Sequence, residues 1–135
     1  MWNRLRGHIG LRWAMVAAWM AMIFFLSAQP HLPDLAPGLP GVEEIGGHLS
    51  AYGILAVLLW RALRGAGSRA PATWALLVTM VYGATDEFHQ HFVPGRTATV
   101  EDLLVDLIGA SLGLLLVSWW HLRRLRARLA APTGQ

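Results

Sequence analysis

From Leu103 to Trp120 the chain reads LLVDLIGASLGLLLVSWW, 18 residues in which Asp106 is the one ionisable group. A core helix of a soluble domain is seldom so long and so apolar, whereas the hydrocarbon of a bilayer asks for about 20 such residues. The stretch therefore reads as a membrane span. Composition agrees: 55% of the 135 residues are hydrophobic and 14% are charged, against roughly 25% charged in a soluble domain. The same balance excludes disorder.

Three further apolar stretches precede it, at about Trp13–Ala28, Ile45–Trp60 and Ala72–Thr85. The third is the least apolar and carries Thr73 and Thr79. Flanking turns and interfacial side chains complete each span, which places the four at about 10–28, 45–63, 70–88 and 100–121 within one transmembrane domain, 1–129, followed by a flexible tail, 130–135. Trp13, Trp60, Trp74, Trp119 and Trp120 fall at span ends, where indole favours the headgroup region. Short connections predict an all-α, antiparallel four-helix membrane bundle. The connection Gln29–Gly41 holds Pro30, Pro33, Pro37 and Pro40 and is predicted to be extended or turning. A cleavable secretory leader is the rival reading of the first span, since Arg4, Arg6, an apolar core, Ser27 and Ala28 resemble its three regions. Leu26, at the preceding small-residue position, argues against it.

Charge orients the bundle. Lysine and cysteine are absent, so all 11 basic residues are arginines, and Schiff-base lysines, disulfides and thiol nucleophiles are excluded. Arg4, Arg6, Arg12, Arg61, Arg64, Arg69, Arg123, Arg124, Arg126 and Arg128 all flank spans on one side. They follow membrane topology and imply no nucleic-acid partner; positively charged flanks stay in the cytosol, so both termini are predicted to be cytoplasmic. Asp34, Glu43, Glu44, Asp86, Glu87, Glu101 and Asp102 gather in or beside the two outer connections.

The outer ends of three helices thereby share one polar volume. Glu44, His48 and Tyr52 recur every four residues on one face of the second helix. Asp86, His89 and Gln90 lie on one face at the end of the third, a turn beyond Tyr82, and Asp102 and Asp106 share a face of the fourth. Arg96, in the turn Pro94, Gly95, Arg96, is the lone outer arginine and suits either a loop salt bridge or anion recognition. Asp106, a carboxylate one turn inside a span, costs roughly 2.5–3.5 kcal/mol and calls for a partner, His48 or Arg96. Simpler readings stand beside these. Thr99 and Asp102 fit a capped helix start, the tyrosines fit packing, His8, His31, His91 and His121 fit flanks or interfaces, and Gly109 with Gly113 fits a close helix contact.

Three chemistries could use the cluster. His48 or His89 paired with a carboxylate suits acid–base work; Asp86, Glu87, His89 and Asp102 could hold a divalent cation; or the groups could bind a polar headgroup without reacting. No HExxH motif and no nucleophile elbow is present. The sequence names no cofactor, metal or protein partner.

The run from Tyr82 through Asp86, Glu87, Phe88, His89 and Gln90, then Phe92, Val93, Pro94, Gly95, Arg96 and Thr97, then Asp102 and the Gly109–Gly113 stretch, resembles the VanZ-like family, as do His48 and Tyr52. The resemblance covers about residues 20–118. It implies a small multi-pass protein of the bacterial cytoplasmic membrane, in a family whose founding member is associated with teicoplanin resistance and whose biochemical activity is unsettled. Where the family commonly has an aspartate and a lysine before the histidine, this chain has Glu44 and Ile45; where it commonly has an asparagine in the last span, this chain has Asp106. The reading that follows gives His48, Glu87, His89, Asp102 and Asp106 the reactive roles. Glu44, Tyr52, Tyr82, Asp86, Gln90 and Arg96 are left to bind a cell-envelope lipid or glycan precursor. A membrane-embedded enzyme and a structural subunit of a membrane complex are the alternatives.

Overall fold

The computed structural model describes residues 2–30, 42–96 and 99–130, and the side chains of all of these except 2–7 and 43. The proline-rich connection with His31 and Asp34, Thr97, the tail 131–135, and the side chains of Arg4, Arg6 and Glu43 lie outside the described residues. Four helices make up the described chain: α1 Trp2–Ser27, α2 Val42–Gly65, α3 Pro71–Gln90 and α4 Val100–Ala130. They form the antiparallel helical bundle the sequence predicts. Three segments, His8–Ser27, Glu44–Gly65 and Val100–Ala130, are long and apolar enough to cross a membrane.

The helices overrun the apolar runs. α1 continues back to Trp2 and α4 forward to Ala130; in α4 the added residues Leu122–Ala130 are all Leu, Arg or Ala, strong helix formers that need no apolar surroundings to stay helical. α3 is not among the three span-like segments, and its polarity has a place to go. Thr79, Asp86, Glu87 and Gln90 are buried, while Trp74, Leu77, Val81 and Phe88 are exposed. Its polar face is turned into the bundle and its apolar face outward.

α2 is the central helix, packed against all three others. Tyr52, Leu55, Ala56, Leu59 and Ala62 bury its length. Its approach to α4 is set by glycines: a Cβ on Gly109 would stand 2.9 Å from Leu49 Cα, and one on Gly113 would stand 3.2 Å from the Gly53 carbonyl carbon. The α4 backbone can come this close to Leu49 and Gly53 only because Gly109 and Gly113 carry no side chain. α1 packs on α2 through Val16 and Ile23, and Trp19 Nε1 donates to the Ala51 carbonyl at 2.9 Å.

The α2–α3 connection and the described part of the α3–α4 connection each use a glycine in the left-handed region. α2 closes on Gly67 (φ +84°), with the Gly67 N–H on the Arg64 carbonyl and the Ser68 N–H on the Leu63 carbonyl, the paired bonds of a Schellman motif. Pro71 then opens α3, where its missing N–H costs nothing. Beyond α3, Pro94 and Gly95 (φ +84°) form a turn closed by the Arg96 N–H on the Val93 carbonyl at 3.2 Å, the residue pattern of a type II turn.

The two ends of the bundle differ in character. At one, Arg12, Arg61, Arg64, Arg124 and Arg128 border an open cleft of about 720 Å³. Guanidinium groups there lie over indole rings, Arg123 over Trp119 at 4.1 Å and Arg124 over Trp120 at 3.5 Å. At the other end, the close of α1 and α3 meets the start of α2 and α4.

Candidate functional site

At that second end Ser27, His48, Asp86, Glu87, Gln90, Asp102 and Asp106 are all buried. Helical spacing brings them there: His48 and Tyr52 sit one turn apart on α2, and Asp102 and Asp106 one turn apart on α4. The Thr99 hydroxyl caps α4 by accepting the Asp102 N–H at 3.2 Å and donates to Asp102 Oδ2 at 2.7 Å.

Two groups of contacts result. The first is centred on Asp86, which accepts from Ser27 Oγ at 2.6 Å, Tyr52 Oη at 3.1 Å and Gln90 Nε2 at 3.1 Å. One carboxylate thus ties α1, α2 and α3 together. Gln90 Oε1 in turn accepts from Arg96 Nη2 at 3.0 Å, so the proline–glycine turn carries Arg96 back onto the cluster.

The second group joins His48, Glu87, Asp102 and Asp106. His48 Nδ1 lies 2.8 Å from Asp106 Oδ1, so the partner of the intramembrane aspartate is His48, while Arg96 goes to Gln90. Gly83 makes room for this pair: a Cβ there would stand 2.9 Å from Asp106 Oδ2 and 3.2 Å from Tyr52 Cε1. Glu87 Oε2 accepts the Thr99 N–H at 3.2 Å. His48, Glu87 and Asp102 each place one possible ligand atom within 4.8 Å of the others. Among the described residues, Glu87 Oε1, Asp106 Oδ2, His89 Nδ1 and Arg96 Nε are buried without a hydrogen-bond partner.

Not every predicted site residue joins these contacts. Glu44 is exposed and makes no side-chain hydrogen bond among the described residues. The Tyr82 hydroxyl donates to the Met20 carbonyl at 2.6 Å and ties α3 to α1, although its ring stands 6.4 Å from that of Tyr52. His89 stacks on Phe24 with ring centroids 4.3 Å apart. The cation-ligand set expected around Asp86 and His89 is therefore not the one the structure gathers: both Asp86 oxygens are engaged by hydrogen bonds, His89 stacks on Phe24 of α1, and His48 stands beside Glu87 and Asp102 instead. Ser27, Thr99 and Gly83 were not singled out as site residues. Thr99 was legible as a helix cap; for Ser27 and Gly83 the chain carries no local signal, because their roles depend on Asp86 and Asp106, which lie 59 and 23 positions away.

The apolar exterior, the span-like helices and the buried polar cluster at one end define a polytopic helical membrane protein. The sequence model described as VanZ/LLP1 matches residues 42–121, from the start of α2 into the last turns of α4. The chain belongs to that family, with α1 outside the matched part. No curated protein and no solved structure matches it.

Proposed function

We propose that this VanZ-like membrane protein lies in the bacterial cytoplasmic membrane with its arginine-rich end in the cytosol, and engages the headgroup of a cell-envelope lipid or lipid-linked glycan precursor at the polar end, in the outer leaflet. The observation that carries this reading is the set of buried atoms without partners. A buried polar atom without a hydrogen bond costs about 1–3 kcal/mol, and four of them at one end of a membrane bundle describe a binding surface. Arg96 Nε offers a donor suited to a phosphate or carboxylate oxygen, and Glu87 Oε1 and Asp106 Oδ2 offer acceptors suited to hydroxyl or ammonium groups. Sugar phosphates and aminoacylated headgroups carry both kinds of group.

Native mass spectrometry of the protein in nanodiscs made from bacterial envelope lipid extract tests it. Retention of a defined lipid by the natural chain, and its loss in Arg96→Gln and Asp106→Asn at equal folded yield, is the expected outcome; indiscriminate retention of bulk phospholipid that neither change affects would refute it. Engagement of a cell-wall precursor would also alter teicoplanin tolerance, read as the inhibitory concentration of cells expressing the chain against cells expressing His48→Ala.

A second reading draws on the 2.8 Å His48–Asp106 pair, an imidazole oriented by a carboxylate as general bases often are. Turnover of labelled envelope lipid by the purified protein, abolished by His48→Ala, separates an enzyme from a binder.

A further inference from the structure

We infer that His48, Glu87 and Asp102 form a binding site for one first-row divalent transition cation. The inference goes beyond headgroup engagement, because the site is built by this chain's own side chains and would exist if no lipid bound there. Three helices contribute one ligand each: α2 an imidazole, α3 and α4 a carboxylate. All three residues are buried, and their ligand atoms lie within 4.8 Å of one another. Ligands held about 2.0–2.1 Å from a tetrahedral ion stand roughly 3.3 Å apart. Candidate atoms at that limit therefore have to close by about 1.5 Å to reach a shared ion.

The hydrogen bonds leave the right atoms over. His48 Nδ1 is engaged by Asp106 Oδ1, which leaves Nε2 to ligate. An imidazole held from behind by a carboxylate is the usual support of a metal-bound histidine, fixing its tautomer and strengthening its basicity. Glu87 gives Oε2 to the Thr99 N–H and keeps Oε1 buried without a partner among the described residues, in a side chain that is 6% exposed. Asp102 gives Oδ2 to the Thr99 hydroxyl, which leaves Oδ1. The capping contacts thus fix the ligands without consuming them.

Charge points the same way. Glu87, Asp102 and Asp106 place three carboxylates beside one imidazole, away from water, and the nearby guanidinium of Arg96 donates to Gln90. A divalent cation offsets such a group better than one shared proton. One nitrogen and two oxygens favour zinc or manganese over a cation that takes oxygen alone. Three protein ligands leave a coordination position open, as in catalytic rather than structural metal sites.

The test uses the full chain, purified without a histidine tag in detergent and stripped with chelator. Calorimetric titration with Zn²⁺ and Mn²⁺ should show one equivalent bound per chain for at least one of the two ions, and Co²⁺ should give the visible absorption bands of a low-coordinate nitrogen and oxygen site. Glu87→Gln and His48→Gln should each weaken binding at least 10-fold, and Asp106→Asn, which acts through His48, by about 10- to 100-fold. His121→Ala, at the opposite end of the bundle, should bind as the natural chain does. Circular dichroism and elution volume confirm folding, and Glu87→Gln, which keeps shape and the Thr99 contact, is the decisive variant. Absence of a stoichiometric ion, binding that survives Glu87→Gln undiminished, or binding lost in His121→Ala would each overturn the site. Failure of the natural chain to retain a defined lipid, with metal binding intact, would count against headgroup engagement alone.

Discussion

Asp86 accepts three hydrogen bonds and Glu87 one, although the two are adjacent on α3 and both are buried. The difference separates a structural carboxylate from one left free to act. In Asp86→Asn one oxygen becomes an N–H donor. Facing Ser27 it is accepted only if that hydroxyl turns its proton to the Phe24 carbonyl, 3.1 Å away; facing Tyr52 and Gln90 it displaces the Gln90 bond. In either case bonds to a charged acceptor become weaker neutral ones. The expected cost is about 1–3 kcal/mol. Glu87→Gln keeps an acceptor for the Thr99 N–H and removes a charge beside Asp102, so in metal-free protein its stability should lie within about 1 kcal/mol of the natural chain. Thermal unfolding of the two variants in the same detergent checks the contrast; equal losses would mean that both carboxylates only hold helices together. The sequence made the residue types and the i, i+4 faces legible, which is why His48, Tyr52, Asp102 and Asp106 could be placed together in advance. It could not rank the two histidines. His48 and His89 both lie near acids in the chain, and only the rotation of α3, which turns His89 onto Phe24 and Glu87 toward Thr99, decides between them.

Among the elements, the contact of α2 with α4 positions the site, because it fixes the height of His48 relative to Asp106. Gly109 and Gly113 were readable as a close-contact pair from their four-residue spacing; Gly53, their counterpart on α2, has Leu49 and Val57 four residues away and so lacks that pattern. α1 was harder to place for a different reason. A helix apolar on all sides suits lipid on one side and protein on the other equally well, so periodicity carries no signal for the buried face. Its packing through Val16, Trp19 and Ile23, and the reach of Ser27 to Asp86, become visible only in three dimensions. Gly109→Val puts branched bulk against the Leu49 backbone, which cannot move aside as a flexible side chain could. It is expected to destabilise the bundle by at least about 2–3 kcal/mol and to separate His48 from Asp106. Gly10→Ala, which meets nothing within 4 Å among the described residues, should cost nothing and stabilise α1 by up to about 1 kcal/mol. Unfolding midpoints of the two variants test this, and a tolerated valine would show that α2 and α4 are not in backbone contact.

Seen whole, the molecule has the polarity of a soluble protein reversed along its outer surface, and charge sorted along its axis. Phe25, Val81, Phe88, Leu115 and Leu116 face outward, while Ser27, Thr79, Gln90 and Asp106 face inward. So much exposed apolar surface would drive aggregation in water, and in lipid it is the surface required. The axial sorting supports the proposed orientation. Arg12, Arg61, Arg64, Arg124 and Arg128 share one end, where the retention of positive flanks in the cytosol should hold them, and the polar cluster is thereby directed to the opposite face. The absence of cysteine makes the test direct. Ala66→Cys, on the turn after α2, and His91→Cys, on the turn after α3, are both at exposed positions. In intact spheroplasts a membrane-impermeant maleimide should label the second variant and leave the first unlabelled until the membrane is opened. The reverse pattern would place Glu87, Asp102 and Arg96 on the cytosolic side, where they could not meet an outer-leaflet headgroup, although a metal bound by His48, Glu87 and Asp102 would be unaffected.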